Sequence, residues 1–302
     1  MDVVVVGGGV AGLTCGMYAA RLGCDVVLIE EMALGGQLLN VAQVEAVPGV
    51  SSSTAGWDFA TDLAEQAQDA GLKVVLDTAT KVSRFEDRWR VIGSEFDAQA
   101  PVVVMATGSI EPKSTIEGAE HFFGRGVSHC AACDGPIFTG KRVLMVGGGN
   151  IALWGANQLA RIAENVTLVL QRDDIPVWTS LRDSFEGFEN QTVVVGETLE
   201  VLGDSVVTGV VVRDQDGRER HFDVSAVFLA DERAPNGALI EGIAQQEPSE
   251  AVKVDARCET SESGLLAIGD LRAGSPGLVS AALGDGAVAA RRAMELAGRL
   301  VS

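Results

Sequence analysis

Aromatic side chains make up only 5% of the 302 residues, with a single tyrosine, and histidines number three. The interior must therefore be filled by Val, Ala, Leu and Ile, within a hydrophobic content of 47%. A chain of this length can fill two ordinary cores, so two domains are expected. Basic residues are scarce as well, 23 Lys and Arg against 42 Asp and Glu, for a net charge of −19. Such a field repels phosphodiester backbones and anionic membranes, which argues against nucleic-acid or membrane partners. Any dinucleotide site here must create its own local attraction. Five cysteines are too few, and of the wrong parity, for a secreted disulfide framework. No run approaches the ~18 uninterrupted apolar residues of a membrane span. The N-terminus enters an apolar strand, Val3 to Val6, with no basic segment or cleavable signal. These absences point to a cytoplasmic protein.

What is abundant is glycine, 36 residues gathered in tight clusters, as expected where backbone approaches a bound group closely. The first cluster sits inside a strand–turn–helix–strand unit. Asp2–Val6 reads as a buried strand, Gly7–Gly12 as the turn, Leu13–Leu22 as a helix and Asp25–Glu30 as the next strand. The same unit recurs as strand Arg142–Val146, turn Gly147–Ala152, helix Leu153–Ala163 and strand Asn165–Leu170. Further elements are read as a helix over Trp57–Ala70 and strands at Lys73–Leu76, Arg88–Ile92, Pro101–Met105, Thr192–Val195, Val206–Arg213, Ala226–Ala230 and Gly264–Ile268, closed by a helix from about Ser280 to Leu300. The alternation predicts an α/β fold of two Rossmann-like, three-layer dinucleotide-binding domains.

Gly7, Gly9 and Gly12 fit G-x-G-x-x-G between a strand and a helix. The first glycine permits the tight turn, the second lets backbone approach a pyrophosphate, and the third lets helix pack on strand. The helix N-terminus then offers free N–H groups to phosphate. Glu30, 18 residues past Gly12, ends the next strand, where an acid accepts from ribose hydroxyls.

Cys130-Ala131-Ala132-Cys133-Asp134-Gly135 is the sharpest local signal. Thiols at this spacing close a short, readily reduced disulfide. A zinc half-site and a pair of inert core thiols are the alternatives. A structural zinc wants four ligands, and no second C-x-x-C or H-x-x-x-H exists. An adjacent carboxylate, Asp134, can serve as base and acid. His129 is either a neighbour that favours the Cys130 thiolate or a solvated loop residue. Cys15, Cys24 and Cys258 have no partner at useful spacing.

Over nearly its whole length the chain resembles the low-molecular-weight thioredoxin reductases. Gly35-Gly36-Gln37-Leu38 resembles the loop that lies against flavin in that family. Ala106-Thr107-Gly108-Ser109 and Ile268-Gly269-Asp270 resemble two further FAD elements, with Asp270 placed like the acid that bonds the ribityl chain. The cysteine pair directly precedes the second glycine turn, as it does there. The resemblance implies FAD as first cofactor, with Cys133 toward the flavin, Cys130 attacking the substrate disulfide and Asp134 moving the proton. It implies a homodimer, a thioredoxin-like disulfide partner, and an inserted domain that rotates. The FAD domain is then expected at 1–111 and 236–302, with 112–235 an NAD(P)-type domain carrying the pair.

Three departures bear on the electron donor. The second glycine turn keeps Gly147, Gly149 and Asn150, but the family's basic H-R-R-x-x-x-R run falls on Leu170, Gln171, Arg172 and Pro176, leaving only Arg172. Asp231-Glu232-Arg233 stands where the family has a glycine and a His or Arg. The family's Arg-Gln-Ala against the flavin ring is matched to Leu278-Val279-Ser280. NAD(P)H use is thereby placed in doubt, and NADH, ferredoxin or another flavin become candidate donors. Two rivals to a reductase are a dithiol oxidase using oxygen and a non-catalytic flavin-binding partner protein. Relatives of the oxidase kind carry His after the second cysteine, so Asp134 favours the reductase.

Overall fold

The computed structural model describes all residues except 42, 45, 173–176, 231–232 and 300–302. Along the chain, β1 (Val3–Val6), α1 (Val10–Arg21), β2 (Val26–Glu30), α2 (Gly56–Asp69) and β3 (Lys73–Leu76) come first. An antiparallel sheet of β4 (Lys81–Phe85), β5 (Arg88–Ile92) and β6 (Asp97–Ala100) follows, then β7 (Val102–Met105) and the short β8 (Ser109–Ile110). Every residue of β1 and β7 is apolar and buried, the pattern of a strand covered on both faces. On α2 the buried Ala60, Leu63, Ala64 and Ala67 recur at helical spacing, which lays one stripe on the sheet.

Next come β9 (Val127–Ser128), the one-turn helix α3 (Ala131–Asp134), β10 (Arg142–Gly147), α4 (Gly149–Ala160), β11 (Asn165–Leu170) and α5 (Thr179–Glu186). After them lie β12 (Gln191–Gly203), β13 (Val207–Asp214), β14 (Glu219–Phe222) and β15 (Ala226–Ala230). These strands form one sheet in the order β14-β13-β12-β11-β10-β15-β9, parallel from β12 to β9 and antiparallel beyond it. The chain then returns through β16 (Ala234–Pro235), which pairs with β8, and β17 (Leu265–Ala267), to end on α6 (Val279–Leu296). The first sheet is all parallel, ordered β17-β7-β1-β2-β3.

Two compact units result, 1–110 with 234–302, and 111–233. In the first, Val3 and Val5 of β1 face a core shared with α1, α2 and α6, while Val4 and Val6 face Trp89 and Val91 of β5. In the second, Val143 and Met145 pack under α4 and α5, and Leu144 and Val146 pack with residues of β12 and β13. Both units are thus three-layered. Among the described residues no helix is long and apolar enough to cross a membrane.

Both glycine turns are tighter than their sequence suggests. Helix α1 starts at Val10 rather than Leu13, and α4 at Gly149 rather than Leu153. Gly12 is therefore a helix residue. A Cβ on it would lie 1.9 Å from the Gly7 carbonyl oxygen, so glycine is needed there for the packing of helix on turn. The final helix begins one residue before its expected start and ends at Leu296; Leu300 lies outside the described residues.

Candidate functional site

In the first unit the strand ends converge on the glycine turn. Gly7 adopts φ +107°, and a Cβ there would sit 2.4 Å from the Ala106 carbonyl oxygen at the end of β7. Gly35 N–H donates to Gly8 O at 2.8 Å, and a Cβ on Gly36 would come 3.0 Å from Gly9 Cα. Two glycine segments thus lie face to face with no side chain between them. Helix α1 carries no side-chain cap and no acid in its first turn, which leaves its N–H groups for an anion. Glu30 closes the turn from β2, its Oε2 accepting from Gly8 N at 2.6 Å and Oε1 from Met32 N at 3.0 Å.

A polar cluster gathers from three distant segments. Gln37 Nε2 donates to Ser109 Oγ at 2.8 Å and to Asp270 Oδ2 at 3.4 Å, and Ser275 Oγ donates to Asp270 Oδ1 at 3.2 Å. Thr107 Oγ1 donates to Asn236 O at 2.7 Å, and Asn236 N to Gly108 O at 2.9 Å, which fixes the loop after β7. Gly269 N donates to Asp285 Oδ2 at 3.1 Å; the same oxygen takes Arg272 Nε at 2.6 Å. Val279 packs beside Leu38 and Leu39 of the Gly36–Asn40 turn, and Ser280 follows it in the first turn of α6.

These residues fit a flavin dinucleotide. The α1 N-terminus and the bare glycine pair suit a pyrophosphate, Glu30 a ribose, and Gln37 with Asp270 a polyhydroxyl chain. Sequence reasoning missed Ser275, Arg272 and Asp285. Of these, only Asp285 carries a local mark, flanked by Gly284 and Gly286. A Cβ on Gly286 would lie 2.7 Å from Ala11 O, so α6 crosses α1 there at close range.

In the second unit Cys130 and Cys133 form a disulfide, with Cα atoms 5.3 Å apart. Cys130 caps α3, its Sγ accepting from Cys133 N at 3.1 Å. Ala131 is buried against α4, where a Cβ on Gly155 would lie 3.3 Å from its own Cβ. The small residues between the cysteines let the pair sit flat on that helix. Ser128 Oγ donates to Asp134 Oδ2 at 2.5 Å and accepts from Cys130 N at 3.0 Å. His129 rests its ring against Phe123, centroids 5.4 Å apart, and its Nδ1 is buried with no hydrogen-bond partner among the described residues.

The second glycine turn repeats the first in part. Gly147, at φ +132°, approaches the Ala230 carbonyl as Gly7 approaches Ala106, and a Cβ on it would lie 2.3 Å from that oxygen. The third position is the buried Ala152 instead of glycine. Asn150 Oδ1 accepts from Trp178 N at 2.7 Å. Ile151 stands 62% exposed in the first turn of α4, where the turn geometry would receive phosphate. Among the described residues nothing would lie within 4 Å of a Cβ on Gly149. Gln171 and Arg172 follow the end of β11; Pro176, Asp231 and Glu232 lie outside the described residues. Arg233 pairs with Glu111.

The pyridine nucleotide-disulphide oxidoreductase family model matches residues 1–286. The chain belongs to that family. Among pyridine nucleotide-disulphide oxidoreductases it is similar to the thioredoxin reductase of Treponema pallidum, 32% identical over 97% of this chain and 95% of that protein. The solved thioredoxin reductase of Lactococcus lactis superposes with a TM-score of 0.95 at 27% identity, covering 99% of each chain. That of T. acidophilum gives 0.92 at 27% identity, covering 100% of this chain and 99% of that one. The chain is an FAD-dependent disulfide oxidoreductase with the length and fold of the low-molecular-weight thioredoxin reductases.

The remaining sulfurs are kept out of the chemistry. Cys15, Cys24 and Cys258 are buried. Burial, with the neighbouring Cys258 and Cys24, raises the Cys15 thiol far above its ordinary range; burial, then Asp2, raises Cys24. Burial and the Asp285 carboxylate push Cys258 up to about 12. Thiolate is the reactive form, so these three stay protonated and inert at neutral pH. We expect the reduced, folded protein to show two rapidly titrated thiols at pH 8, and five after unfolding. Labelling of Cys258 should rise only as pH climbs from 9 toward 12, the window between its ordinary and folded values. Fast labelling of more than two thiols in the folded protein at pH 8 would contradict this.

Proposed function

We propose that this chain reduces thioredoxin or a similar small disulfide protein through the Cys130–Cys133 pair. The unit 1–110 with 234–302 is the FAD domain in this reading, and 111–233 the NAD(P)-type domain that carries the cysteines. FAD, when bound, supplies a ring that takes up and releases two electrons. Cys130 attacks the partner disulfide, Cys133 resolves the mixed disulfide, and Asp134 carries the proton. The observation that carries the proposal is the closed disulfide at the cap of α3, with a carboxylate held beside it by Ser128. The protein named thioredoxin reductase in Treponema pallidum, alike over nearly its full length, supports the choice of partner. The working form is proposed to be a cytoplasmic homodimer; among the described residues no helix is long and apolar enough to cross a membrane.

The donor is proposed not to be NADPH. Only Arg172 remains of the expected basic run. Charge-assisted bonds to phosphate are worth roughly 1.5–3 kcal/mol each, so losing two or three weakens binding by about 10³-fold or more. An exposed apolar side chain, Ile151, also occupies the first turn of α4, and the Asn150 carboxamide oxygen is already engaged by Trp178 N. Reduced ferredoxin, NADH or another flavin are the candidate donors. Anaerobic titration of the yellow protein with NADPH, NADH and reduced ferredoxin, following flavin absorbance, tests this. We expect one of the other donors to bleach the flavin rapidly and NADPH to act only at millimolar levels. Rapid bleaching by micromolar NADPH would overturn the donor proposal.

A further inference from the structure

Ser128, the buried hydroxyl beside the cysteine pair, has bonding whose direction is fully determined. Ser128 ends β9, an edge strand fixed by parallel pairing with Val227 and Phe228 of β15. The serine is only 6% exposed. Its Oγ accepts the Cys130 N–H at 3.0 Å and donates to Asp134 Oδ2 at 2.5 Å. A backbone N–H can only donate, so the hydroxyl must accept there, and its single proton is left for the carboxylate. The direction of both bonds is thereby set. Asp134 is also tied through its own N–H to the Cys130 carbonyl at 3.1 Å. One hydroxyl on a rigid strand thus links the first and last residues of the Cys130–Asp134 segment.

We propose that Ser128 is a positioning residue. It holds Oδ2 of Asp134 so that Oδ1 is presented to the cysteine sulfurs for proton transfer. This rests on the reading that Asp134 carries the proton in reduction of a partner disulfide. In that step the Cys130 S–H gives its proton to Oδ1 as the sulfur attacks. The partner S–S bond breaks, a Cys130–partner S–S bond forms, and the departing partner sulfur takes the proton from Oδ1. Cys133 then attacks Cys130, the intrachain disulfide closes, and the second partner sulfur leaves with the Cys133 proton. Two electrons and two protons have passed to the partner. Each transfer at Oδ1 requires the carboxylate to face the reacting sulfur, and a swinging carboxylate loses that alignment.

The test is a double-mutant cycle in the FAD-loaded enzyme, with thioredoxin as substrate, on Ser128→Ala, Asp134→Ala and the double variant, with Ser128→Thr as rescue. Ser128→Ala should lower kcat by roughly 10- to 100-fold with KM for the disulfide substrate little changed. Ser128→Thr, which keeps the hydroxyl, should restore most of it. Adding Ser128→Ala to Asp134→Ala should cost less than about twofold more, because the carboxylate it served is gone. Additive losses would show that Ser128 acts only by supporting the backbone at Cys130, and would overturn the proposal. So would Ser128→Ala at full activity beside a disabled Asp134→Ala. Full activity of Asp134→Ala would instead sink the underlying assignment of the proton carrier. Thiol counts and flavin content equal to the parent enzyme guard against misfolding.

Discussion

Serine at Cys133 is expected to stop turnover of a protein disulfide, with a loss of at least ~10³-fold, or about 4 kcal/mol of barrier. It should also leave Cys130 able to trap the partner as a stable mixed disulfide. Serine at Cys130 should stop turnover equally but trap nothing. The asymmetry follows from the local geometry. The Cys133 N–H points at Cys130 Sγ from 3.1 Å at the start of α3. A donor aimed at sulfur stabilises the thiolate, and the thiolate is the form that attacks. Exposure alone argues otherwise, for Cys133 is the more exposed of the two. The trapping experiment separates the two criteria. Each serine variant is reduced and mixed with oxidised thioredoxin, then resolved on a non-reducing gel and by intact mass. A covalent complex on Cys133 in the Cys130→Ser variant would reverse the assigned roles. Residual turnover above a few per cent in either variant would remove the pair from the chemistry altogether.

The elements proposed to carry covalent or phosphate chemistry are legible because they depend on short, local patterns. The glycine turn at Gly7–Gly12 and its echo at Gly147–Ala152 show themselves through the residues on either side, as does C-A-A-C-D-G. What was less legible depends on contacts between distant segments. The sequence pattern places the start of α1 three residues late because Gly9 to Gly12 resemble a turn, whereas only Gly7 within Gly7–Gly12 takes the left-handed backbone. Gly12 is glycine for the sake of packing, which no local propensity reveals. The short α5 leaves no signal in the sequence, since one buried side chain, Phe185, makes no periodic stripe. Strands β4 and β6 leave no clear signal either, three of five residues in β4 and two of four in β6 being polar or charged. The Asp134–Ser128 bond joins residues six apart across a strand end, and the Gln37–Ser109–Asp270–Ser275 cluster spans more than two hundred residues of chain. Such groupings exist only after the strands have found their order.

That same packing makes Gly12 the position of the proposed flavin cradle with the least room for a side chain. Three backbones are stacked there: the end of β7 at Ala106, the turn at Gly7, and α1 at Gly12. A Cβ on Gly12 would lie 1.9 Å from Gly7 O, and Gly7 itself leaves no room against Ala106 O at 2.4 Å. Neither contact is with the tip of a flexible side chain, so α1 must move bodily. Overpacking of this kind typically costs 1–3 kcal/mol in stability. Displacing α1 also withdraws its N–H groups from the pyrophosphate they are proposed to bind. We expect Gly12→Val to lower FAD affinity by 100-fold or more, roughly 2.7 kcal/mol, with Gly12→Ala between it and the parent. The second unit provides the comparison, because Ala152 occupies the matching helix position there and is fully buried. Ala152→Gly should therefore leave flavin content untouched. Flavin absorbance per chain after exhaustive desalting reads both effects, while the count of two reactive thiols reports whether the cysteine unit remains folded. If Gly12→Val kept stoichiometric FAD through desalting, the contact of helix on turn would not be what shapes the pyrophosphate cradle.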